Sequence, residues 1–435
     1  MPLYSWGHYP PIPQTGQLCQ WRGDVPAALS KLVATAGTTL PFGCGRSYGD
    51  SCLAASDRVL QLRGLDRFLA TDWGTGIVRA EAGVTLAEIL AASIPHGWFL
   101  PVTPGTQFAT LGGAIANDVH GKNHHVRGTF GNHVRGFELC RHGAQPLTCS
   151  PTENPDLFAA TIGGLGLTGV ITWAEIALLP IRTSWIASTV ERFGSLAEFF
   201  ALSAELDPQH EYSVAWIDCL ASGSRAGRGV YVTGDHAADG PLRVGEGRRL
   251  SVPLTPPVSM VAPLALRGFN EAYWRAHPQR RTRKTVGYEP FFYPLDRIEH
   301  WNRMYGPRGF QQYQCVIPEA FAPAAMQELL GAIAAFGQGS FLAVLKRCGD
   351  IASPGLLSFP MPGTSLALDF AHTDRLAPLF ARLDAIVAEA GGRLYPAKDA
   401  HMSGSDFRRM YPQWEQVERL RDPALLSRFW QRVTA

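Results

Sequence analysis

The chain has 435 residues, a length that predicts two domains of about 200 residues each. Hydrophobic residues make up 46% of it and charged residues 17%, which indicates a folded globular protein and excludes a disordered one. A net charge of +2 gives no electrostatic reason to expect a nucleic acid as partner. No apolar run approaches the roughly 20 residues that span a bilayer, and no signal peptide is recognisable. The eight cysteines form no C-x-x-C pair, so we expect free thiols in a cytoplasmic protein, with contact to the inner face of a membrane left open.

The first 180 residues alternate helical and strand-like segments. Residues 24–37 predict a helix in which Asp24 caps the first turn and Gly37 ends the last. A second helix is predicted at residues 85–92, where Thr85 and Glu88 have the spacing of a capping box. Short strands are predicted at residues 38–42, 59–62, 77–80 and 170–179. We therefore expect the first domain to occupy residues 1–180.

The middle of the chain, residues 181–392, has the pattern of a second domain. An antiparallel sheet with helices on one face is predicted, with strands at residues 212–217, 312–316, 341–346 and 365–370 and helices at residues 319–336 and 374–390. Residues 236–268 hold arginines, prolines and an apolar run, and they predict a long mobile loop that either covers a binding site or is a loosely packed insertion. Residues 393–435 are expected to return to the first domain. Because an antiparallel sheet is predicted together with helices, the predicted fold class is α+β.

Residues 101–170 are rich in glycine, with 12 glycines in 70 positions. Glycine lets backbone N–H groups approach a ligand closely, and successive N–H groups form the anion-binding turns that suit a pyrophosphate. The alternative is that these glycines only connect short strands. Residues 164–169 match the G-x-G-x-x-G pattern of a Rossmann fold, but a helical segment precedes them and a strand follows, which reverses the context of that motif. We therefore expect a dinucleotide, but not in a Rossmann site.

Three glycine-containing segments together resemble a known pattern. Residues 43–50, GCGRSYGD, resemble the first flavin-pyrophosphate loop of the vanillyl-alcohol oxidase/p-cresol methylhydroxylase superfamily of FAD-linked oxidases. Residues 104–106 and 111–121, PGT and LGGAIANDVHG, resemble its second loop, and residues 163–171, GGLGLTGVI, resemble its third. The resemblance implies a two-domain FAD-binding fold, in which a substrate domain with an antiparallel sheet is inserted into a split flavin domain.

Other segments resemble one family of that superfamily, the decaprenylphosphoryl-β-D-ribose 2′-oxidases. They are HGKNHH at 120–125, GNHVR at 131–135, WNRMYGP at 301–307, QYQ at 312–314, SFP at 358–360 and AKD at 397–399. The family implies oxidation of the ribose 2′-hydroxyl of a polyprenyl-phosphate sugar to a ketone, by hydride transfer to flavin N5. It also implies a separate short-chain NAD(P)H reductase as partner, which completes an epimerisation.

The same resemblance implies site residues in this chain. The residues that it places around FAD are Gly45, Arg46, Ser47, Tyr48, Gly49, Gly105, Thr106, Gly112, Gly113, Asn117, Gly121, Ile171, Tyr395 and Ala397. Those that it places at the substrate and the isoalloxazine are His120, Lys122, Trp216, Gln312, Gln314, Lys346 and Lys398. Some relatives attach FAD covalently through a histidine in the first loop. Residues 43–52 contain no histidine and Arg46 stands in its place, so we expect non-covalent FAD.

Four positions of the implied pocket depart from the family pattern. Ala367 stands where a cysteine beside the flavin is typical, and Ser365 stands where an asparagine is typical. Cys348 replaces a phenylalanine and Phe292 replaces a tyrosine. Ser365 remains a candidate contact for the substrate, but the identity of the sugar and of its carrier stays open.

Two lysines are candidates for the chemistry. Oxidation of an alcohol needs a base for the hydroxyl proton, and a lysine in a dry pocket loses enough proton affinity to serve as one. Lys398 is the first candidate, the alternative being an ordinary surface lysine in a turn. Lys346 lies on an apolar strand, on the same face as Leu342 and Val344. It either binds a ligand such as a sugar phosphate or protects a sheet edge.

His120 is interpreted as a third catalytic candidate, a hydrogen-bonding group near the flavin. A zinc site formed with His124, His125 and His133 is not expected, because no acidic or cysteine side chain in that segment completes a convincing ligand set. We therefore predict no metal.

Polar and aromatic side chains of the second domain are candidates for contact with a sugar. Gln312 and Gln314 share one face of a strand and suit sugar hydroxyls, unless that face is open to solvent. Trp216 either packs on a sugar ring or belongs to the core.

The sequence leaves three hypotheses for the function of the protein. They are the polyprenyl-phosphate-sugar oxidase, an aldonolactone or alditol oxidase that uses dioxygen, and a non-catalytic dinucleotide- or sugar-binding module.

Overall fold

The computed structural model describes residues 2–245, 247 and 249–435. Within these residues the first domain is built on a parallel sheet and an antiparallel one. The parallel sheet has three strands in the order Thr15–Leu18, Arg58–Gln61 and Leu40–Phe42. The antiparallel sheet has five, in the order Phe68–Asp72, Ile77–Glu81, Val170–Ala177, Val134–Cys140 and Leu147–Cys149. The edge strand Phe68–Asp72 is exposed throughout, whereas the central strand Val170–Ala177 is mostly buried.

Local signals fix the two helices predicted in the first domain. The second is Leu86–Ser93, and its capping box is confirmed: Thr85 N–H donates to Glu88 at 2.7 Å, and Glu88 N–H donates to the Thr85 hydroxyl at 3.3 Å. The first is Val25–Ala36 and ends at Gly37, as predicted. The predicted role of Asp24 is wrong, since its side chain makes no capping hydrogen bond.

The second domain is built on an antiparallel sheet of eight strands among the described residues. Their order is Arg281–Gly287, Trp185–Phe193, Gly229–His236, Tyr212–Ile217, Val344–Cys348, Gly363–Ala371, Phe310–Pro318 and Arg393–Leu394. The prediction of an antiparallel sheet is confirmed. The strand expected at residues 341–346 begins only at Val344, because the chain at Ser340 and Leu342 forms a local side-chain turn instead.

Helices cover both faces of this eight-stranded sheet, so the prediction of helices on one face is wrong. Leu196–Leu206, Ala322–Phe336 and Leu376–Glu389 share one apolar core with the sheet on the face away from the first domain. The helix Pro263–Arg275 lies on the opposite face, where Tyr273 contacts Trp216 with ring centroids 4.7 Å apart. Sequence periodicity could not reveal this helix, because only two of its residues, Leu266 and Asn270, are buried.

The segment 236–268, predicted as a structureless loop, has more structure than expected. Leu250–Ser251 pairs in parallel with Ile298–Glu299, and the helix Pro263–Arg275 begins inside the predicted loop. The helix begins there because proline is tolerated in the first turn, where its missing N–H has no partner to lose. Glu246 and Arg248 of this segment lie outside the described residues.

The C-terminal residues contact both domains. Arg393–Leu394 is the last strand of the eight-stranded sheet. Beyond it, Leu425 forms a bridge to Thr39 and Ser427 one to Ala54, so this segment also contacts the N-terminal part of the chain. The helices of this segment are Gly404–Met410, Trp414–Leu420 and Arg428–Thr434.

The remaining helices and short strand pairs connect these layers. The helices are Leu111–Ala116, His124–Arg127, Pro155–Thr161 and Tyr288–Phe292, and Leu179–Pro180 pairs with Trp98–Phe99. None of the helices in the described part of the chain combines the length and the apolar character needed to cross a bilayer.

Candidate active site

A cavity of about 320 Å³ lies between the five-stranded and the eight-stranded sheets. The three glycine-containing segments of the sequence line one side of it: the first glycine loop (residues 43–50), the second glycine loop (residues 104–121) and the third glycine segment (residues 163–171). The eight-stranded sheet closes the other side with Gln312, Gln314, Val344 and Ala367. Sheet register places Gln314 and Val344 on either side of Ala367, so three strands present one continuous wall.

The first glycine loop fits an anionic group. Gly45 has φ +61°, a left-handed conformation that glycine adopts without strain. The Arg46 guanidinium lies 4.1 Å above the Trp6 ring, and its Nε is buried with no hydrogen-bond partner among the described atoms. A buried, unpaired donor is costly unless a ligand accepts from it. Arg46 is therefore ready for a phosphate or another acceptor in the cavity.

The second glycine loop is held by its own side chains. The Thr110 hydroxyl accepts a hydrogen bond from Gly113 N–H at 3.2 Å, and the Asn117 amide donates to the Gly113 carbonyl at 2.8 Å. At Gly112 an added Cβ would lie 3.0 Å from the Ala82 side chain, so the loop packs directly on the five-stranded sheet. Tyr395 donates to the Asn117 carbonyl at 2.9 Å and so joins the C-terminal segment to this loop.

The third glycine segment packs on the second loop. Gly163 N–H donates to the Ile115 carbonyl at 3.0 Å, and Leu165 N–H donates to the Ala116 carbonyl at 2.8 Å. The helix Pro155–Thr161 precedes this segment and the strand Val170–Ala177 follows it. The reversed order predicted from the sequence is confirmed, which rules out a Rossmann arrangement here.

Most residues expected around the cofactor do line the cavity. They are Gly45, Arg46, Ser47, Tyr48, Gly105, Thr106, Gly112, Gly113, Asn117, Ile171, Tyr395 and Ala397. Gly49 and Gly121 lie behind this lining, where an added Cβ would approach the Asp399 carbonyl oxygen to 1.7 Å and the Thr103 carbonyl oxygen to 2.7 Å. The glycine loops that line the cavity and the unpaired Nε of Arg46 fit a flavin dinucleotide.

Lys398 projects into the cavity from a short turn, residues 395–400, which we call the lysine turn. Its Nζ lies 3.5 Å from the centre of the Tyr48 ring. Burial lowers the pKa of Lys398 to about 7, against the opposing influence of the Asp369 carboxylate. Burial also raises the pKa of Asp369. A buried amine with lowered proton affinity, close to a carboxyl group, suits a general base.

Lys346 and His120 form a chain with Gln314. Lys346 donates to the Gly121 carbonyl at 2.7 Å, and its Nζ lies 2.5 Å from His120 Nδ1. His120 Nε2 lies 3.2 Å from the Gln314 side-chain amide. Burial and the neighbouring cations, first Lys346, hold the pKa of His120 well below its usual value. A neutral imidazole has one N–H, so the proton positions along this chain are linked.

The other candidates for substrate contact lie farther from the cavity lining. Lys122 donates to the Phe292 carbonyl at 3.2 Å, and burial, with the charge of Lys346, lowers the pKa of Lys122 to about 8. Ser365 is buried beside Lys346 in the sheet register. Trp216 is not brought to the cavity: it packs on Tyr273, and its indole N–H donates to the Phe341 carbonyl.

Three buried acids were missed by the sequence analysis. Asp369 accepts from the Gln312 amide at 2.6 Å, and alternation from Ser365 through Ala367 could have placed it on the same face. Asp118 accepts from the hydroxyls of Ser353 and Ser358, each at 2.5 Å, and so fixes the distant SFP segment on the second glycine loop. Asp296 lines the cavity and accepts from Gln107 N–H at 2.8 Å. No sequence signal identifies these last two, because their partners are remote in the chain.

Comparison with known proteins agrees with this site. Residues 19–150 match a family described as FAD binding domain. The chain is 36% identical over 395 residues to the decaprenylphosphoryl-beta-D-ribose oxidase of Mycolicibacterium smegmatis, covering 88% of this chain and 85% of that protein. It is 33% identical over 360 residues to a Streptomyces coelicolor protein named as an uncharacterized protein in the mprA 5′ region, covering 78% of this chain and 95% of that protein. The human Delta(24)-sterol reductase is 33% identical over 114 residues, which are 26% of this chain and 22% of that protein.

These similarities confirm the resemblance inferred from the glycine segments, and they confirm FAD as the cofactor. The flavin-loop segments and Lys398 line one cavity, and Lys346 contacts His120 of the same lining. The chain belongs to the decaprenylphosphoryl-β-D-ribose oxidase family and is an FAD-dependent oxidoreductase.

Proposed function

We propose that this enzyme oxidises the 2′-hydroxyl of a polyprenyl-phosphate ribose to a ketone, as the first half of an epimerisation. The relative from Mycolicibacterium smegmatis, a decaprenylphosphoryl-beta-D-ribose oxidase, supports the substrate class. The observation that carries the proposal is the position of Lys398. Its amine lies in the cavity beside Tyr48 of the first glycine loop, with a pKa that burial lowers to about 7.

The cofactor is proposed to be held without a covalent bond, because Arg46 occupies the place of the linking histidine. FAD supplies the acceptor for the hydride that leaves the sugar carbon. The proposed arrangement is the two-domain vanillyl-alcohol oxidase type, with residues 1–180 and the C-terminal segment forming the flavin domain. The glycine cradle and the unpaired Arg46 Nε support it.

The chain's own groups orient the sugar and move its proton. Lys398, when neutral, accepts the proton of the hydroxyl that is being oxidised, and Asp369 provides the negative charge that steadies the resulting ammonium. Gln312 and Gln314 present amide groups to the remaining hydroxyls from one strand face. Lys346 holds His120 in place and adds positive charge for an anionic substrate group.

Two partners are part of the proposal. A short-chain NAD(P)H reductase takes the keto sugar and returns a hydride to its opposite face. A membrane surface holds the substrate lipid against residues 249–264, where large apolar side chains are exposed beside the cavity. Leu254 is 79% exposed and Leu264 is 83% exposed, while Met260 N–H donates to Met304, close to the cavity residue Trp301. Exposed apolar side chains of this kind mark interaction surfaces.

A spectrum and a reduction assay test the flavin chemistry. Purified enzyme is expected to show a flavin spectrum whose colour stays in the supernatant after acid precipitation. Anaerobic mixing with a polyprenyl-phosphoryl ribose is expected to bleach it, whereas Lys398→Met reduces the bleaching rate at least about 100-fold, the usual range for a lost general base. Lys284→Met, at an exposed lysine of the edge strand, is the control and keeps the rate.

Each alternative predicts a different result. Bleaching by an alditol or aldonolactone, with peroxide formed in air, would establish the dioxygen-using oxidase. Bound flavin that no sugar bleaches would establish a binding module. Colour in the acid pellet would contradict the assignment of Arg46.

Vesicle binding tests the membrane surface separately. Co-sedimentation with phosphatidylglycerol vesicles is expected for the wild type and is expected to fall in Leu254→Ser/Leu264→Ser. Leu18→Ser changes a leucine that is 51% exposed on the parallel sheet, and it leaves binding unchanged. Equal binding by all three proteins would remove the membrane from the proposal.

A further inference from the structure

A chain of buried charges runs directly behind Lys398. Its centre is Asp399, the next residue, whose carboxylate is almost completely buried. That carboxylate lies 2.8 Å from Arg432 Nη2 and 3.1 Å from His401 Nδ1, and it accepts from Met402 N–H at 3.0 Å. A buried carboxylate is stable only with such partners. The lysine turn is therefore fixed from behind by two basic side chains, Arg432 from the last helix and His401, the residue that follows the turn.

Arg432 joins the lysine turn to the first glycine loop. From the last helix its Nε and Nη2 donate to Asp50 at 3.0 and 2.9 Å, while Nη2 also reaches Asp399. The fork geometry of a guanidinium suits such two-sided bridging. The backbone contacts agree, because Tyr48 N–H donates to the Ala397 carbonyl at 3.0 Å.

His401 joins the lysine turn to the strand that carries the two glutamines. Its Nε2 lies 3.2 Å from Asp384, on the helix behind the eight-stranded sheet. Asp384 also accepts from the Tyr313 hydroxyl at 3.0 Å, and Tyr313 stands between Gln312 and Gln314. The imidazole is enclosed by two rings: it stacks on Tyr313 with centroids 5.8 Å apart, and it lies tilted against Phe380 with centroids 4.6 Å apart.

The neighbouring acidic and basic groups of this buried charge chain shift one another's pKa values toward the charged forms. Burial lowers the pKa of His401, but Asp399 and Asp384 outweigh it and leave the pKa raised. Burial raises the pKa of Asp399, but His401 and Arg432 outweigh it and leave the pKa lowered. Along the order Asp50, Arg432, Asp399, His401, Asp384, carboxyl groups therefore alternate with basic side chains.

We propose that Arg432 and His401 are positioning residues, which hold Lys398 through Asp399 at a fixed place between the first glycine loop and the glutamine strand. The inference rests on the proposed function in taking Lys398 as the base. Neither residue lines the cavity, and both contact Asp399 of the turn that carries the lysine. A loosened turn would let the Lys398 amine reach solvent and regain its proton affinity.

Competitive labelling of the FAD-loaded enzyme with acetic anhydride tests this directly. Peptide mass spectrometry gives the labelling of Lys398 as a function of pH, and so the midpoint of its titration. We expect that midpoint to lie well below the ordinary range of lysine in the wild type. It is expected to rise by about one pH unit or more in His401→Gln and in Arg432→Lys, because the amine becomes hydrated.

Arg428→Lys is the matched control. Arg428 lies one turn before Arg432 on the same helix, and its ion pair with Asp57 at 2.8 Å does not reach the lysine turn. In Arg428→Lys the titration midpoint of Lys398 is expected to equal that of the wild type, even if the melting temperature falls. If His401→Gln does not fold, Arg432→Lys decides by the same midpoint.

The outcomes separate this inference from the proposed function. An unchanged midpoint in His401→Gln or Arg432→Lys, or an equal rise in Arg428→Lys, overturns the positioning role. A raised midpoint establishes it even if Lys398→Met leaves flavin reduction intact, a result that would instead overturn the role of Lys398 as base. Stopped-flow reduction of the variants adds a further check, since a displaced base lowers the limiting rate more than it weakens substrate binding.

Discussion

Gly49→Ala is the substitution whose effect follows most directly from the geometry. A Cβ at residue 49 would lie 1.7 Å from the Asp399 carbonyl oxygen and 2.4 Å from its carbon. Both are backbone atoms, so no side chain can move aside. Ordinary contact needs about 3.5 Å, so the first glycine loop and the lysine turn must separate by about 2 Å.

That separation disrupts the cavity as well as the packing. It breaks the 3.0 Å hydrogen bond from Tyr48 N–H to the Ala397 carbonyl. Overpacking of this severity costs about 3 kcal/mol and the lost hydrogen bond about 1 kcal/mol. For a chain of 435 residues the conversion is about 1 °C per kcal/mol, so the melting temperature is expected to fall by roughly 4 °C or more. FAD is expected to bind at least about tenfold more weakly, because Tyr48 and Ala397 both line its cradle.

Thermal unfolding and fluorescence titration of the apoenzyme with FAD measure both effects. The matched control is Gly331→Ala in the helix Ala322–Phe336, where an added Cβ meets nothing within 4 Å. It is expected to stabilise the protein by about 0.5–1 kcal/mol and to leave FAD affinity unchanged. A Gly49→Ala enzyme with wild-type melting temperature and FAD affinity would refute the inferred contact.

Three further predictions concern the charged groups of the cavity. Asp369→Asn removes the carboxylate that opposes the lowered pKa of Lys398, so the pH midpoint of flavin reduction, near 7 in the wild type, moves to lower pH; a midpoint that stays or rises contradicts the pairing. Arg46→Met removes the unpaired buried donor and is expected to weaken FAD binding at least about tenfold in a fluorescence titration, and unchanged affinity would exclude a contact with the cofactor. Lys346→Met frees His120, whose pKa is expected to rise when followed by NMR because a neighbouring cation is gone; a constant pKa would mean that Lys346 is neutral in the wild type.

Local patterns in the chain were enough to predict much of the fold. The capping box at Thr85 and Glu88 depends on residues three apart, and the strand Tyr212–Ile217 depends on alternation over six residues. The helix Pro263–Arg275 was missed for the opposite reason. Its neighbours, not its own periodicity, hold it, since Arg228 pairs with Glu271 at 2.8 Å and Asn270 donates to Asp218 at 2.7 Å.

The residues of the candidate site also fall into two groups: those that the sequence placed correctly at the cavity, and those that the structure places elsewhere. Gly45, Gly112 and Gly113 were assigned to FAD through the resemblance to known flavin loops, while the glycine density of residues 101–170 by itself indicated only an anion-binding loop. Trp216 shows the limit of carrying a role over by resemblance, because its ring packs on Tyr273 and not on the cavity. Its role in binding a sugar stays a prediction.

Glycine density and strand alternation are properties of short segments, so the amino-acid order indicates an α+β chain with an anion-binding loop. Its resemblance to the FAD-linked oxidases points to the flavin and to Lys398. The environment that gives Lys398 its chemistry is not a local property. Arg432 and Asp50 are 382 positions apart, and Asp118 and Ser358 are 240 apart. Electrostatic and hydrogen-bond energies depend on distance in space, so these partners act on the site only after folding has brought the two domains and the C-terminal helix together.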